Sequence, residues 1–390
     1  MVVASGADLA LERAVDAGEV AGVVALAADD QGVIYEGAFG KRAADADAPM
    51  TLDTVVWIAS MTKAITSVAA MQLVEQGRIT LDEPLSNHLP EVGEVQVLEG
   101  FDEAGAPKLR APRRPVTLRH LLTHTAGFTY DIWNPDMVRY QQHASVPGII
   151  ECKKVTLSTP LVFDPGERWE YGINIDWVGQ TVERLSGQRL EEYFEAHIFG
   201  PLSMRDSGFV IGTEQRQRLA GMHVRLPDGL LQVIPFELTQ DPEFYMGGGG
   251  LYSTGPDYLR FLRMLLGDGK LEGVRVLAAE TVAQMNQNHI GDLTVGLMKS
   301  EVPGSSNDAE FFPGMTKKWG LGYMITTEEA PTGRSAGSLA WAGLANTYFW
   351  LDPARRVTGV ILTQILPFAD PAALGVFERF ERAIYAGHST

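Results

Sequence analysis

Residues 57 to 77, WIASMTKAITSVAAMQLVEQG, constrain this chain more than any other stretch. From Ala64 to Val74 the only polar side chains are Thr66, Ser67 and Gln72, so a helix here is apolar almost all round and has to be buried. Burial on every side requires further layers of structure around it, and 390 residues, 45% of them apolar, can supply them. Gly77 is a natural stop. Two polar groups break the pattern at the head of the helix. Ser60 and Lys63 stand three apart, on one helix face, where hydroxyl and amine can meet. Ser60 also sits where free backbone N–H groups and the positive end of the helix dipole favour a developing oxyanion. The same spacing equally describes a capping serine followed by a lysine that snorkels to water.

The rest of the composition narrows the function classes. A formal net charge of −17 disfavours a nucleic-acid groove or an anionic membrane surface as partner, and points to a small substrate that is not strongly anionic. The single cysteine, Cys152, excludes an internal disulfide framework and a zinc ribbon, and fits a reducing, cytoplasmic compartment. Residues 1 to 20 carry early acidic residues and no basic region before an apolar stretch, so they do not read as a signal peptide. No run of about 18 apolar residues suggests a membrane span.

Along the chain, helical spacing over 7 to 17 precedes two apolar runs, VAGVVALAAD and GVIYEGAFG, which the Asp30-Gln31-Gly32 turn joins into a hairpin. The Gly-, Pro- and Arg-rich segment 99 to 115 reads as a surface loop. Helices are expected around 117 to 123, 174 to 186, 190 to 198 and 256 to 266. Strands follow in LGYMITT, SLAWAGL, NTYFWLD and VTGVILTQI, with a turn at Pro353–Arg356 and a closing helix near 371 to 386. Strands toward both ends with helices between predict an α/β fold. Its antiparallel sheet, flanked by helices, is built from 1–80 and 200–390, with a mainly helical insertion over 81–199.

An S-x-x-K pair opening a buried helix is the mark of the serine β-lactamases and penicillin-binding proteins. The chain resembles that superfamily, and within it the family VIII carboxylesterases that look like class C β-lactamases. The matching segments run in order: SMTK at 60 to 63, LVEQGRITLDEPLSNHLPE at 73 to 91, VTLRHLLTHTAGF at 116 to 128, FDPGERWEYG at 163 to 172, FGPLSMRDSGF at 199 to 209, GGGGLYST at 247 to 254, WGLGY at 319 to 323 and WAG at 341 to 343. The resemblance implies Ser60 as acyl-accepting nucleophile, Lys63 and Tyr171 as its general-base pair, and an oxyanion hole from the backbone N–H groups of Ser60 and Leu344. A serine hydroxyl is a weak nucleophile that needs an adjacent base, and a phenol serves as one only if a cation favours the phenolate.

Two departures from the family pattern bear on substrate. Where the family has Tyr-x-Asn, this chain has Tyr171-Gly172-Ile173, with Asn174 one place late. Where it has Lys-Thr-Gly, this chain has Trp341-Ala342-Gly343, an indole in place of a carboxylate-binding cation. Both imply short neutral esters over β-lactams or peptides. Tyr130, Trp133 and Trp319 are candidates for the acyl pocket, with core packing as the alternative. His120 and His124 have the spacing for metal on one helix face, but no third ligand accompanies them, so neither metal nor cofactor is expected. Gly247 to Gly250 lacks phosphate-loop spacing and reads as a close-approach loop beside the site. The leading expectation is a carboxylesterase working through acyl-Ser60 on a small-molecule ester. The alternatives are a β-lactamase or D-amino-acid peptidase, and a homologue that binds or acylates once without turnover.

Overall fold

The computed structural model of the protein describes residues 2–388. Seven strands form the main sheet: β1 Gly22–Asp29, β2 Val33–Gly40, β3 Lys317–Trp319, β4 Met324–Thr326, β5 Leu339–Gly343, β6 Thr347–Asp352 and β7 Val357–Leu362. Their order is β3-β4-β5-β6-β7-β1-β2, and every neighbour is antiparallel. The N-terminal hairpin joins the C-terminal strands edge to edge, with Val24 opposite Leu362. The expected antiparallel sheet with flanking helices is the architecture observed.

Five longer helices matter for the site: α1 Val2–Asp16, α2 Thr62–Glu75, α3 Asn174–Ser186, α4 Gly255–Leu266 and α5 Pro371–Gly387. The two faces of β6 show how they are arranged, because successive side chains of a strand point to opposite sides. Tyr348 and Trp350 face α5, where Tyr348 stacks on Phe377 with ring centroids 4.8 Å apart, while Phe349 faces Tyr258 of α4. Both faces of the sheet are therefore covered, which is why β5, β6 and β7, apart from the hydrogen-bonded Asp352 at the end of β6, are apolar or small without alternation and buried throughout. Trp350 lies across its cross-strand partner Gly359, where a Cβ would stand 2.1 Å from the indole ring.

Helix α2 runs through the interior, buried from Thr62 to Leu73, as its sequence demands. It packs against α3. The segment expected as a surface loop over 99 to 115 is instead a hairpin, Val97–Phe101 with Pro107–Arg110. Its glycines serve the bulge and the turn: Gly100 and Gly105 take φ of +122° and +85°, and the Asp102 carboxylate accepts from the N–H of Ala106. Composition had the turn but not the strands beside it. The helix Pro135–Ala144, capped by Asn134, and the short strand β3 were likewise not anticipated.

Candidate active site

Ser60 is delivered by a strained turn. Val56–Trp57 pairs with Tyr252–Ser253, the Ile58 N–H bonds Leu251 O at 3.0 Å, and Ala59 then adopts φ +44°, a left-handed conformation that a non-glycine residue rarely takes. A 3-10 turn, Ala59–Met61, leads into α2. The Thr62 hydroxyl ties this turn by donating to Ala59 O at 2.7 Å and accepting from the Leu251 N–H at 3.1 Å. Neither the turn nor α2 has a side-chain cap at its start, so Ser60 is not spent on capping.

Lys63 does not snorkel: it is 1% exposed. Its Nζ donates to Ser60 Oγ at 3.0 Å, to Tyr130 Oη at 3.1 Å and to the carbonyl of Gly248 at 2.5 Å, and lies 4.6 Å from the centre of the Tyr171 ring. An ammonium has three N–H donors, so these acceptors satisfy it completely. A neutral amine has only two, and its lone pair must then face a donor. The Gly248 carbonyl cannot donate, which leaves the hydroxyls of Ser60 and Tyr130. Burial pulls the Lys63 ammonium down to about 7, against the opposing pull of the Asp176 carboxylate. An amine whose pKa lies near neutrality therefore touches the Ser60 hydroxyl, an arrangement that can carry general-base chemistry.

Tyr171 stands on the other side of Ser60. Burial drives its phenol well above the usual range, while hydrogen bonds from Ser60 and from the Trp341 indole work the other way. The Trp341 Nε1–H meets the phenol oxygen at 2.8 Å. The indole is thus a donor to Tyr171, a contact that the sequence did not disclose. Trp319 backs Trp341 edge-on, with centroids 4.6 Å apart, and donates its own N–H to Leu122 O. It is fully buried and lines neither pocket at Ser60, so the core-packing alternative holds for it. Ile173 is also buried away from both pockets. The Asn174 amide turns inward, to Phe128 O at 3.2 Å and His124 Nδ1 at 3.0 Å.

Strand β5 reaches the turn that carries Ser60 because Gly343 lacks a side chain. A Cβ there would lie 2.3 Å from both Ile58 O and Thr347 Oγ1. The next residue, Leu344, lines both small pockets that open on Ser60. One, of about 40 Å³, is walled by Trp57, Tyr130, Ile132, Trp133, Ile149 and Met246. The other, of about 10 Å³, lies among Trp133, Tyr171, Met298, Trp341, Ala342 and Phe368. No Lys or Arg is among the residues lining either. A groove of about 640 Å³ between Leu89, Trp177 and Arg189 contains none of these residues.

The glycine run is a close-approach loop. Its successive carbonyls are held by side chains from the segment around Ser60: Gly247 O by Thr66 at 2.6 Å, Gly248 O by Lys63, and Gly249 O by the Trp57 indole at 2.7 Å. His124, by contrast, is buried against the Tyr171 ring, and His120 closes a capping box with Thr117. Among the described residues no group of three or more His, Cys, Asp or Glu is placed to hold a metal ion, and no helix is long and apolar enough to cross a membrane.

Several known proteins are similar to this chain in sequence and fold. The beta-lactamase family model matches residues 7–381. The chain is 33% identical over 401 residues to monacolin J acid methylbutanoyltransferase of Aspergillus terreus, covering 97% of this chain and 95% of that protein. It is 32% identical over 399 residues to lovastatin esterase of Penicillium rubens, covering 98% of each. A solved structure of simvastatin synthase from Aspergillus terreus, the LovD6 mutant, matches with a TM-score of 0.84 and 31% identity over 98% of this chain and 94% of that one. EstCE1, a hydrolase with promiscuous acyltransferase activity, shares the fold with a TM-score of 0.78 at 23% identity over 98% of each chain.

Proposed function

The chain belongs to the beta-lactamase family and is an enzyme of the serine-hydrolase type, and from that premise we propose that it cleaves short neutral carboxylic esters through an acyl-Ser60 intermediate. The observation that carries this reading is the 3.0 Å contact between Ser60 Oγ and a buried Lys63 poised near neutrality. Neutral Lys63 takes the Ser60 proton as Oγ attacks the ester carbonyl. The tetrahedral oxyanion is held by the N–H groups of Ser60 and Leu344. As the C–O bond to the alcohol breaks, the proton passes from Lys63 to the departing oxygen, with Tyr171 bridging Ser60 and the indole. Water then repeats the sequence in reverse and frees the acid.

The absence of Lys and Arg from both pocket linings supports neutral substrates, because nothing there can form a charge-assisted bond to a β-lactam carboxylate. A second reading is favoured by the relatives, whose names divide between an acyltransferase and an esterase. In it, a substrate hydroxyl takes the place of water at the same acyl-Ser60. An organophosphonate followed by mass spectrometry should give one adduct, on Ser60, and Ser60→Ala should lose several orders of magnitude in kcat, as loss of a covalent nucleophile does. An adduct on another serine together with an active Ser60→Ala would end the assignment. Kinetics of p-nitrophenyl butyrate, with and without an added alcohol, separate hydrolysis from transfer, and stoichiometric labelling without turnover would identify a sensor. A chromogenic cephalosporin turned over as well as the ester would restore the β-lactamase alternative.

A further inference from the structure

One buried acid beside the site is left without a task by the chemistry above. Asp176 lies in the first turn of α3, fully buried. Its Oδ1 accepts the N–H of Gly248 at 2.8 Å, and its Oδ2, equally buried, has no hydrogen-bond partner among the described residues. The other end of the same glycine residue, its carbonyl, accepts from Lys63 Nζ. The fit is close: a Cβ on Gly248 would stand 2.6 Å from Asp176 Oδ2 and 3.0 Å from Oδ1. A carboxylate buried with half its acceptor capacity unused is expensive to maintain for structure alone.

We propose that Asp176 is a positioning residue for Lys63: its carboxylate fixes the Gly248 residue whose carbonyl grips Nζ, and its charge is the buried counter-charge for the ammonium that forms when Ser60 is deprotonated. The proposal rests on the reading of Ser60 as nucleophile and Lys63 as base. Lys63 is otherwise faced by Ser60 from its own segment, by His124 and Tyr130 from the loop that follows the helix Leu118–Leu122, and by Tyr171 from the segment leading into α3. Burial holds His124 well below and Tyr130 and Tyr171 well above their usual ranges. Each is therefore neutral around pH 7, and Asp176 is the one anion among these groups. It is itself pushed up to about 6 by burial and held down by Lys63. Since its charge raises Lys63, removing that charge lets the amine lose its proton at lower pH.

The test is the rate of Ser60 labelling by an uncharged phosphonate as a function of pH, in wild type, Asp176→Asn and Asp176→Ser. Asparagine keeps an acceptor for Gly248 and deletes only the charge. The labelling midpoint should fall by about one pH unit, a tenfold loss of proton affinity at Lys63. The high-pH plateau should drop by no more than a few fold. An unchanged midpoint in folded variants overturns the proposal, as does a uniform loss at every pH, which a merely structural acid would give. Failure of both variants to fold also overturns it, by assigning Asp176 to the core. Absence of a wild-type adduct on Ser60 is a different failure, that of the underlying reading.

Discussion

Lys63 gives the sharpest pH prediction. With Lys63 as the proposed base, catalysis requires its neutral form, and burial lowers its pKa to about 7. The value of kcat/KM for a neutral ester should therefore be small below that pH, rise through it and level off above. A profile already flat from pH 5 upward would remove Lys63 as the base. Trp341 gives the second residue-scale prediction. Trp341→Phe keeps the aromatic wall but deletes the N–H that meets the Tyr171 oxygen. A neutral hydrogen bond contributes about 0.5–1.5 kcal/mol, so kcat should fall by about three- to tenfold, with no gain in cephalosporin turnover. A variant as fast as wild type would return Trp341 to a packing role. How much of this was legible in the sequence follows from chain distance. The reach between Ser60 and Lys63 is local, fixed by helical spacing, and could be read directly. The contacts of Lys63 with Tyr130 and Gly248, and of Trp341 with Tyr171, join segments far apart in the chain. No local pattern encodes them, and an aromatic that packs looks in sequence like one that binds. Asp176 was hidden for a further reason: an acid in a helical first turn reads as ordinary dipole chemistry.

At the scale of elements, the approach of β5 to the turn carrying Ser60 is set by Gly343. Gly343→Ala must push apart two backbone segments, at about 1–3 kcal/mol of stability, and it displaces the Leu344 N–H. Removing one oxyanion donor costs about 10²–10³ in kcat, so on the proposed role of the Leu344 N–H activity should fall by far more than the modest loss in Tm would suggest. Gly359→Ala, crowded to a similar degree under Trp350 on β6, is the matched control. It should lower Tm by a few degrees while leaving kcat of the folded fraction unaltered. Equal losses of kcat in the two variants would show that crowding of the sheet, and not the position of Leu344, is being measured. Elements with strong periodicity or long apolar runs, such as α2, β6 and β7, were readable from sequence. The hairpin Val97–Phe101 with Pro107–Arg110 was not, because its two short strands are dominated by the turn residues between and around them.

For the molecule as a whole, the net charge of −17 surrounds pockets at Ser60 that no Lys or Arg lines. An ester bearing a carboxylate should be repelled at long range, and salt should relieve that repulsion as the Debye length falls from about 30 Å at 0.01 M to about 8 Å at 0.15 M. Over that range kcat/KM should rise for an anionic ester and stay level for a neutral one. Parallel salt responses would mean that the charge is irrelevant at the site. The sheet carries another consequence. Val24 finds its partner at Leu362, and the turn that bears Ser60 finds Gly343, only after nearly all of the intervening chain has been made. Such long-range pairing is slow to form, and it makes the approach of Gly343 to the Ser60 turn depend on strands from distant parts of the chain. Ser60 and Lys63 lie three residues apart and meet within one turn of chain, whereas Leu344 reaches them only once β5 has docked on the sheet, so the two halves of the site form on different timescales.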